Sequence, residues 1–439
     1  MSSMLIAALV VTSLMKAAEV PGVGIALISD GRIASMKAYG FRDVEHRLPL
    51  TPDTVMTAAS ISKAAFAYLC MRLVDDSVLD LDKPVISYFA EPPADYAAIA
   101  SDPRFARITP RMLLSHTSGL PNWRSLESDG KLHIHFEPGS RYAYSGEGIV
   151  LLQRAVEAIT HKPLEELMQK RVFRPLGMTR TSMVWQPRFE DNFANGYDEY
   201  SRSLGPERRK SANAAGSMQT TLRDVTRLVL AIAKRRDMLS PQIRIWSKHQ
   251  FPTFENISTD ANQRIRLSYG LGVGLYWTPH GEAFFEEGHD EGWRNYAVMF
   301  VKSRDGMVIM TNSSNGEGIF KELLEKVLGN PYTPIEWEGY TPYNELPPRQ
   351  PLPAHKRVAI DASLLDKYAG TYVFSPTVVL TVRRAGDHLT VQENDETPQE
   401  LLPESDNQFF STSAEDVYRF ETGRVVLITG GREIPIPRR

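Results

Sequence analysis

A single cysteine, Cys70, stands in the 439-residue sequence, which excludes an intrachain disulfide and a cysteine-based zinc cluster. Charge of one sign is equally scarce. Fifty basic residues against 53 acidic ones leave −3, so no bulk cationic field points to nucleic acid. No apolar run approaches the roughly 20 residues that span a bilayer. Internal repeats and low-complexity tracts are absent too. Core material is abundant: 42% of residues are hydrophobic, with 6 Trp, 17 Tyr and 18 Phe, which excludes disorder over most of the chain. The length exceeds one ordinary domain of about 150 residues. A soluble globular enzyme or binder of two or three modules remains.

Met4–Val11 is continuously apolar, as a signal-peptide core is, but the first positive charge, Lys16, follows the run where a secretory leader needs it before. A buried first helix that stops at Pro21-Gly22 is the expectation. The lone cysteine suits either side of a membrane, and the cytoplasm is favoured over the periplasm or secretion. Val23–Ser29 and Ile33–Ala38 flank Asp30-Gly31, a two-residue hairpin signal. A second strand pair, Tyr296–Val301 and Met307–Met310, flanks Asp305-Gly306 and runs into an amphipathic helix over Gly318–Leu328. Together these predict an α/β (α+β) domain over 1–330: one antiparallel sheet assembled from both ends of the segment, flanked by helices, with a helical subdomain inserted within about 75–240. Seven prolines between Gly329 and Pro353 predict a stiff linker over 331–358. Beyond it, Tyr372–Phe374, Val378–Val382, Leu389–Gln392, Phe409–Ser411, Val417–Phe420 and Val425–Ile428 predict a small all-β domain over 359–439.

Chemistry concentrates at Ala58-Ala59-Ser60-Ile61-Ser62-Lys63, followed by the good helix formers Ala64 to Leu69. Ser60 then sits at a helix N-terminus, where its amide points outward and can donate to an oxyanion. Lys63 lies one turn on, on the same face, and if desolvated it can take the hydroxyl proton. The pattern alone is weak, since Ser-x-x-Lys arises by chance about once in a chain this long.

Its surroundings are specific. Thr51 to Met56 leading into Ser60-Ile61-Ser62-Lys63 resembles the nucleophile region of serine hydrolases related to class C β-lactamases, a group that includes DD-peptidases, D-aminopeptidases and carboxylesterases. The likeness continues in order through Val20 to Gly24, Leu113 to Pro121, Glu137-Pro138-Gly139, Tyr142 to Gly146, Arg174 to Met178 and Ala214 to Ser217. It implies the β-lactamase/transpeptidase-like fold, with Ser60 as nucleophile and Lys63 and Tyr144 sharing the proton relay. Without the resemblance, a buried core tyrosine is the plainer reading of Tyr144. A neighbouring cation is expected to lower its phenol pKa. Tyr142 is a competing candidate whose spacing from Pro138-Gly139 fits less well.

Two motifs depart from the lactam-binding pattern. Tyr144-Ser145-Gly146 stands where the family carries Tyr-x-Asn, an asparagine that in β-lactamases contacts the substrate's acylamino side chain, so Gly146 lacks that contact. The third motif, Lys-Thr-Gly in β-lactamases and often His-x-Gly in esterases and aminopeptidases, is anchored on Asp290-Glu291-Gly292-Trp293. Counting back without a gap places Glu286-Glu287-Gly288 at the motif and makes the His289 amide the second oxyanion donor. A register with three residues deleted makes His289 itself the motif histidine, and the ungapped reading is favoured. Glu286 is then expected to repel a substrate carboxylate by several kcal/mol, against a plainer reading of Glu286 and Glu287 as a solvated strand edge. Trp123 and Trp293 are candidate pocket walls.

His133-Ile134-His135 has strand spacing for two metal ligands but no third cluster, so no metal and no cofactor is expected. His116 reads as a structural hydrogen bonder, Cys70 as buried, and Gly270 to Gly274 as close backbone approach rather than a nucleotide loop. The C-terminal module, headed by Leu365 to Tyr372, resembles lipocalin-like β-domains of such hydrolases; covering the cleft, forming a homo-oligomer interface and plain packing are all open to it. The expectation is a serine acyl hydrolase on a small-molecule ester or amide. Carboxylesterase activity on small neutral esters leads, followed by peptidase, amidase or β-lactamase activity; a non-catalytic binder retaining the fold is the reading of another class.

Overall fold

Met307–Met310 is apolar at every position, and in a strand that sends Met307 and Ile309 to one face and Val308 and Met310 to the other, so both faces need cover. The computed structural model describes residues 3–127, 129–250, 260–330, 333–349, 354–375, 378–394, 398–412, 416–429 and 432–439. It gives that cover from both ends of the first domain. The main strands are β1 (Gly22–Ser29), β2 (Arg32–Asp43), β3 (Gly274–Thr278), β4 (Gly281–Asp290), β5 (Trp293–Phe300) and β6 (Gly306–Thr311). With three two-residue strands they form a nine-stranded sheet in the order Leu48–Pro49, β2, β1, β6, β5, β4, β3, Ser268–Tyr269, Ile243–Arg244. β1 from the start and β6 from the end of the domain lie side by side, with Ile25 opposite Ile309.

On one face, Val11, Leu14 and Met15 of α1 (Ser3–Ala17) join Ile319, Phe320, Leu323 and Leu324 against Ile25, Tyr296, Met307 and Ile309. On the other, Phe66, Leu69, Cys70 and Leu73 of α2 (Ile61–Asp75) and Ile149, Leu152 and Val156 of α3 (Gly146–Thr160) join Phe284, Val308 and Met310. The helical insertion holds more 3₁₀ turns than long helices, and α3 is one of the few regular helices in it. Among the described residues, no helix is long and apolar enough to cross a membrane.

A buried ion pair pins the start of α3. Glu147 accepts from Arg124 Nε at 2.8 Å, Nη2 at 2.6 Å and the backbone amide at 3.0 Å, and both side chains are 6% exposed. The pair ties the 121–124 segment onto the turn that carries Tyr144.

Three expectations need correction. The second hairpin closes through Val301–Asp305, and Gly306 already belongs to β6 rather than to the turn. The helix after it is a 3₁₀ turn (Gly316–Ile319), an α turn (Phe320–Leu323) and a π turn (Leu324–Leu328) in succession. The linker begins later than predicted, because the first compact unit runs to Leu346. Between its prolines, Ile335, Trp337 and Tyr340 are buried against Tyr142, Phe285 and Phe320, with one helical turn at Ile335–Glu338. Aromatic burial outweighs the extended bias of proline there, and residues 350–353 of the Pro-rich stretch lie outside the described residues.

The second unit takes in Pro347–Arg439 with two short segments, Glu127–Lys131 and Glu207–Lys210. Its eight strands, from Gly370–Ser375 to Arg432–Pro437, pair in sequence order, and a bridge from Tyr372 to Arg438 brings the ends together into a nearly closed antiparallel barrel. Tyr368, Phe409 and Phe420 fill its core, with Tyr368 stacked on Phe420 at 4.6 Å. Gln399–Pro403 and Arg432–Pro437 are strands that sequence reading missed, since their prolines and charges obscure the alternation.

Replacing Glu147 with Gln leaves Arg124 buried without its counter-charge. The expected loss is about 3 kcal/mol, read as a lower urea midpoint for the first unit; an unchanged midpoint would show that the pair does not hold this segment.

Candidate active site

Ser60 is the N-cap of α2, yet its side chain makes no capping bond. The Ser62 hydroxyl instead donates to the Ala59 carbonyl at 2.6 Å and accepts from the Met218 amide at 3.0 Å. Ala59, just before Ser60, holds a left-handed φ of 49° while buried, a conformation that costs of order 1–3 kcal/mol and persists only where the surroundings enforce it. The short pairing of Met56–Thr57 with Gln219–Thr220 and the Ala58 amide bonded to the Met218 carbonyl enforce it here.

Lys63, one turn into α2, is 2% exposed. Its Nζ donates to Ser60 Oγ at 2.9 Å and to the Ala215 carbonyl at 2.6 Å. Burial lowers its pKa to about 8, against the opposing pull of Glu286, Glu287 and Asp290. Tyr144 completes the group: its phenol hydrogen-bonds Ser60, and its ring centroid lies 4.8 Å from Lys63 Nζ. Burial, with Glu287 and Glu286 nearby, pushes the Tyr144 phenol well above its ordinary range. Desolvation therefore overrides the expected lowering by a cation, and Tyr144 serves as a neutral phenol. The structure brings Ser60, Lys63 and Tyr144 into one hydrogen-bonded group.

His116 lies beneath them, fully buried, its ring 4.4 Å from that of Tyr144. Nδ1 accepts from the Ser145 amide at 3.1 Å, and burial holds the imidazole neutral, with the Lys63 charge adding to the effect. Tyr142 is also buried, but its hydroxyl faces Gln250 rather than Ser60 and its ring packs on Tyr269 and Trp337.

The third motif lies on β4, whose pairing with β3 ends at Phe285 opposite Gly274. Beyond that point Glu286–Asp290 has no neighbouring strand on that edge among the described residues. A Cβ on Gly288 would collide with the Ala58 carbonyl oxygen, so glycine lets the strand approach the start of α2. Glu286, two residues earlier and hence on the same face, is 7% exposed, feels the Lys63 charge, and accepts from the Tyr269 hydroxyl at 3.3 Å. The His289 imidazole points the other way: it is 52% exposed, with Nδ1 3.2 Å from Glu317.

Two expectations about Glu286 and Glu287 fail. Neither is a solvated edge, since both are buried. Burial, reinforced by Glu287, also pushes the Glu286 carboxyl well above the usual carboxylate range, which weakens the expected repulsion of a substrate carboxylate.

Gly146 has its own explanation. A Cβ there would lie 2.7 Å from the Trp123 ring and 2.9 Å from the Asn122 carbonyl oxygen, so Trp123 occupies the space an asparagine side chain would need. Trp293, in contrast, is 3% exposed and packs in the core against Gly196; it is no pocket wall. His133 and His135 stand 6.3 Å apart and belong to no three-residue group of metal-ligand type among the described residues. Cys70 is buried, and burial raises its thiol pKa. Sequence reasoning missed the Ala215 carbonyl, Tyr269 and Gln250. A backbone acceptor leaves no trace in residue type, and the other two come from segments without a motif.

A family model described as Beta-lactamase matches residues 7–330, and a second, described as a domain of unknown function, matches residues 354–429. Penicillin-binding protein 4* of Bacillus subtilis (strain 168) is 24% identical over 87% of this chain and 85% of its own. A D-aminopeptidase of Gluconobacter oxydans (strain 621H) is 24% identical over 72% of this chain and 60% of its own length. The chain thus spans under two thirds of that relative. Among solved structures, the octameric penicillin-binding protein homologue from Pyrococcus abyssi aligns with TM-score 0.60 and 22% identity, over 99% of this chain and 100% of that one. The D-alanine carboxypeptidase AmpC from Burkholderia cenocepacia aligns with TM-score 0.54 and 20% identity, over 70% and 93%. At these identities the solved structures bear on the fold alone.

Two outcomes follow from the geometry. If neutral Lys63 takes the Ser60 proton, kcat/KM rises tenfold per pH unit and levels off near pH 8, where Lys63 sheds its own proton; a limb above pH 10 would show an ammonium that is not desolvated. Gly288→Ala forces β4 away from Ala58, and a displacement of about 1 Å costs up to about 10²-fold in kcat/KM, measured beside circular dichroism to confirm folding.

Proposed function

From a chain that belongs to the β-lactamase family of serine hydrolases, we propose a carboxylesterase acting on small neutral esters through an acyl-enzyme on Ser60. Ser60 Oγ attacks the carbonyl while its proton passes to Lys63 Nζ. Tyr144, a neutral phenol bonded to Ser60, relays a proton to the leaving alkoxide. The amides of Ser60 and His289 hold the oxyanion, each such donor typically contributing 10²–10³ in rate. Water attacks the acyl carbon by the reverse proton path and frees the acid.

The observation that carries the reading is the 2.9 Å contact between Ser60 Oγ and a fully buried Lys63 Nζ, a nucleophile already joined to a base with pKa about 8. Ester over lactam rests on the two departures. Glu286 stands where lactam-binding relatives present Lys, and Trp123 fills the place of the motif asparagine. Amide or peptide hydrolysis is the second reading, favoured by the relatives named D-aminopeptidase and penicillin-binding protein. The intact group of Ser60, Lys63 and Tyr144 weighs against a binder without chemistry.

Hydrolysis of short- and medium-chain p-nitrophenyl esters beside a chromogenic cephalosporin, for wild type and Ser60→Ala, tests this. Ester turnover that disappears in Ser60→Ala, with little cephalosporin cleavage, is expected. Fast cephalosporin turnover would overturn the ester preference, and the absence of any Ser60-dependent turnover of esters, amides or lactams would overturn the hydrolase reading.

A further inference from the structure

The short helix Pro110–Leu114 ends in a Schellman turn: the Thr117 amide donates to the Met112 carbonyl at 2.8 Å, and the His116 amide to the Leu113 carbonyl at 3.3 Å. The left-handed residue of such a turn is usually glycine and sometimes asparagine. Here it is His116, with φ 54° and a fully buried side chain. A bulky residue in that backbone region is an outlier, and outliers of this kind persist where function or surroundings demand them. The imidazole therefore does something that glycine would forfeit.

Its contacts show what that is. The His116 carbonyl accepts from the Ala143 amide at 2.7 Å, and Nδ1 accepts from the Ser145 amide at 3.1 Å. One residue thus holds the amide before and the amide after Tyr144, whose phenol bonds Ser60. The imidazole is enclosed by the rings of Tyr144, Tyr269 and Tyr142, at 4.4, 5.0 and 6.0 Å. An Nδ1 that accepts carries no hydrogen, so the neutral ring bears it on Nε2. Nε2 makes no hydrogen bond among the described residues, so neither nitrogen touches Ser60 or Lys63. Burial and the Lys63 charge both disfavour the imidazolium, in which Nδ1 would turn from acceptor to donor and oppose the Ser145 amide.

We propose that His116 is a positioning residue for acyl transfer: through its carbonyl and Nδ1 it fixes the backbone on both sides of Tyr144, and so holds the phenol where it protonates the leaving alkoxide. The inference rests on the Ser60 hydrolase reading and adds to it the group that places its acid. Two consequences separate this role from plain support of the fold. A p-nitrophenolate departs without a proton whereas an alkoxide needs one, so a displaced phenol is felt by alkyl esters first. The role also needs an acceptor at the position of Nδ1. In His116→Asn the amide oxygen stands as many bonds from Cβ as Nδ1 does, and asparagine tolerates the left-handed backbone; His116→Phe keeps a ring and loses the acceptor.

The test measures kcat and KM on ethyl and p-nitrophenyl butyrate for wild type, His116→Phe, His116→Asn, Tyr144→Phe and the double variant His116→Phe/Tyr144→Phe. In His116→Phe, kcat on the ethyl ester is expected to fall about 10²-fold at little change in KM, and on the p-nitrophenyl ester less than about tenfold. His116→Asn recovers most of that loss. Adding His116→Phe to Tyr144→Phe costs nothing further, since the phenol it would displace is already gone. Equal losses on the two esters, an equal loss in His116→Asn, additive losses in the double variant, or a wild type that cleaves only the p-nitrophenyl ester would each overturn the role. With turnover still dependent on Ser60, the hydrolase reading would stand. Nitrogen-15 spectra of histidine-labelled wild type, with His116 identified by its absence in His116→Asn, read the tautomer whether or not His116→Phe folds. A hydrogen on Nε2 alone near neutral pH is expected; one on Nδ1 would overturn the proposal. No Ser60-dependent turnover of any ester, amide or lactam would sink the hydrolase reading, and this inference with it.

Discussion

Desolvating one lysine organises the active side of this molecule. An ammonium taken from water into a helix flanked by Ala64, Ala65 and Phe66 is expensive, and it is tolerated because two acceptors meet it, Ser60 Oγ and the Ala215 carbonyl. Neither acceptor is free to move. Ser60 is set by the strained Ala59 and by Ser62, whose hydroxyl donates to the Ala59 carbonyl and accepts from the Met218 amide. Ala215 is set by a turn in which Asn213 Oδ1 accepts the Ala215 amide and Ser217 Oγ accepts the Asn213 amide. The same burial that makes Lys63 costly leaves it with a pKa near 8, so the structural cost and the catalytic capacity are one fact.

The sheet meets that lysine at an edge rather than a face. β4 outruns β3 at Phe285, and the residues beyond it are held by Gly288 against Ala58 rather than by another strand. A chain of acceptors and donors is thereby left facing Ser60, and the character of the site is decided by what stands on that edge. Glu286 on that edge and Trp123 against Gly146 lie around Ser60, Lys63 and Tyr144 without entering their hydrogen bonds. Under the proposed reading, the residues around the hydrolytic group come from the edge strand and the 121–124 segment, and the group itself from α2 and the turn at Tyr144.

Much of this was legible in the sequence because it is local or periodic. The Asp30-Gly31 hairpin, the apolar β6 and the Ser60–Lys63 spacing each depend on residues a few positions apart, and the order of motifs placed Tyr144 beside them. Legibility fails where long-range burial decides. The sequence reading lowered the Tyr144 pKa and ionised Glu286, since charges are visible in a sequence and desolvation is not. It treated 331–346 as linker because prolines dominate composition, although Trp337 and Tyr340 find aromatic partners from three other segments. It offered Trp293 as a pocket wall because the residue follows a glycine at the motif, whereas packing against Gly196 makes it core.

The buried carboxyls then follow from the same electrostatics that govern Lys63. Burial drives the lysine toward the free amine and Glu286 toward the neutral acid, while their mutual attraction favours the ionised pair. Burial is the larger influence on each. Such an arrangement responds strongly to any charge that enters it. A substrate carboxylate would meet at Glu286 a buried acid whose own charge burial disfavours, and so finds no counter-charge there. Glu286 is thus compatible with a buried site because burial itself disfavours its charge.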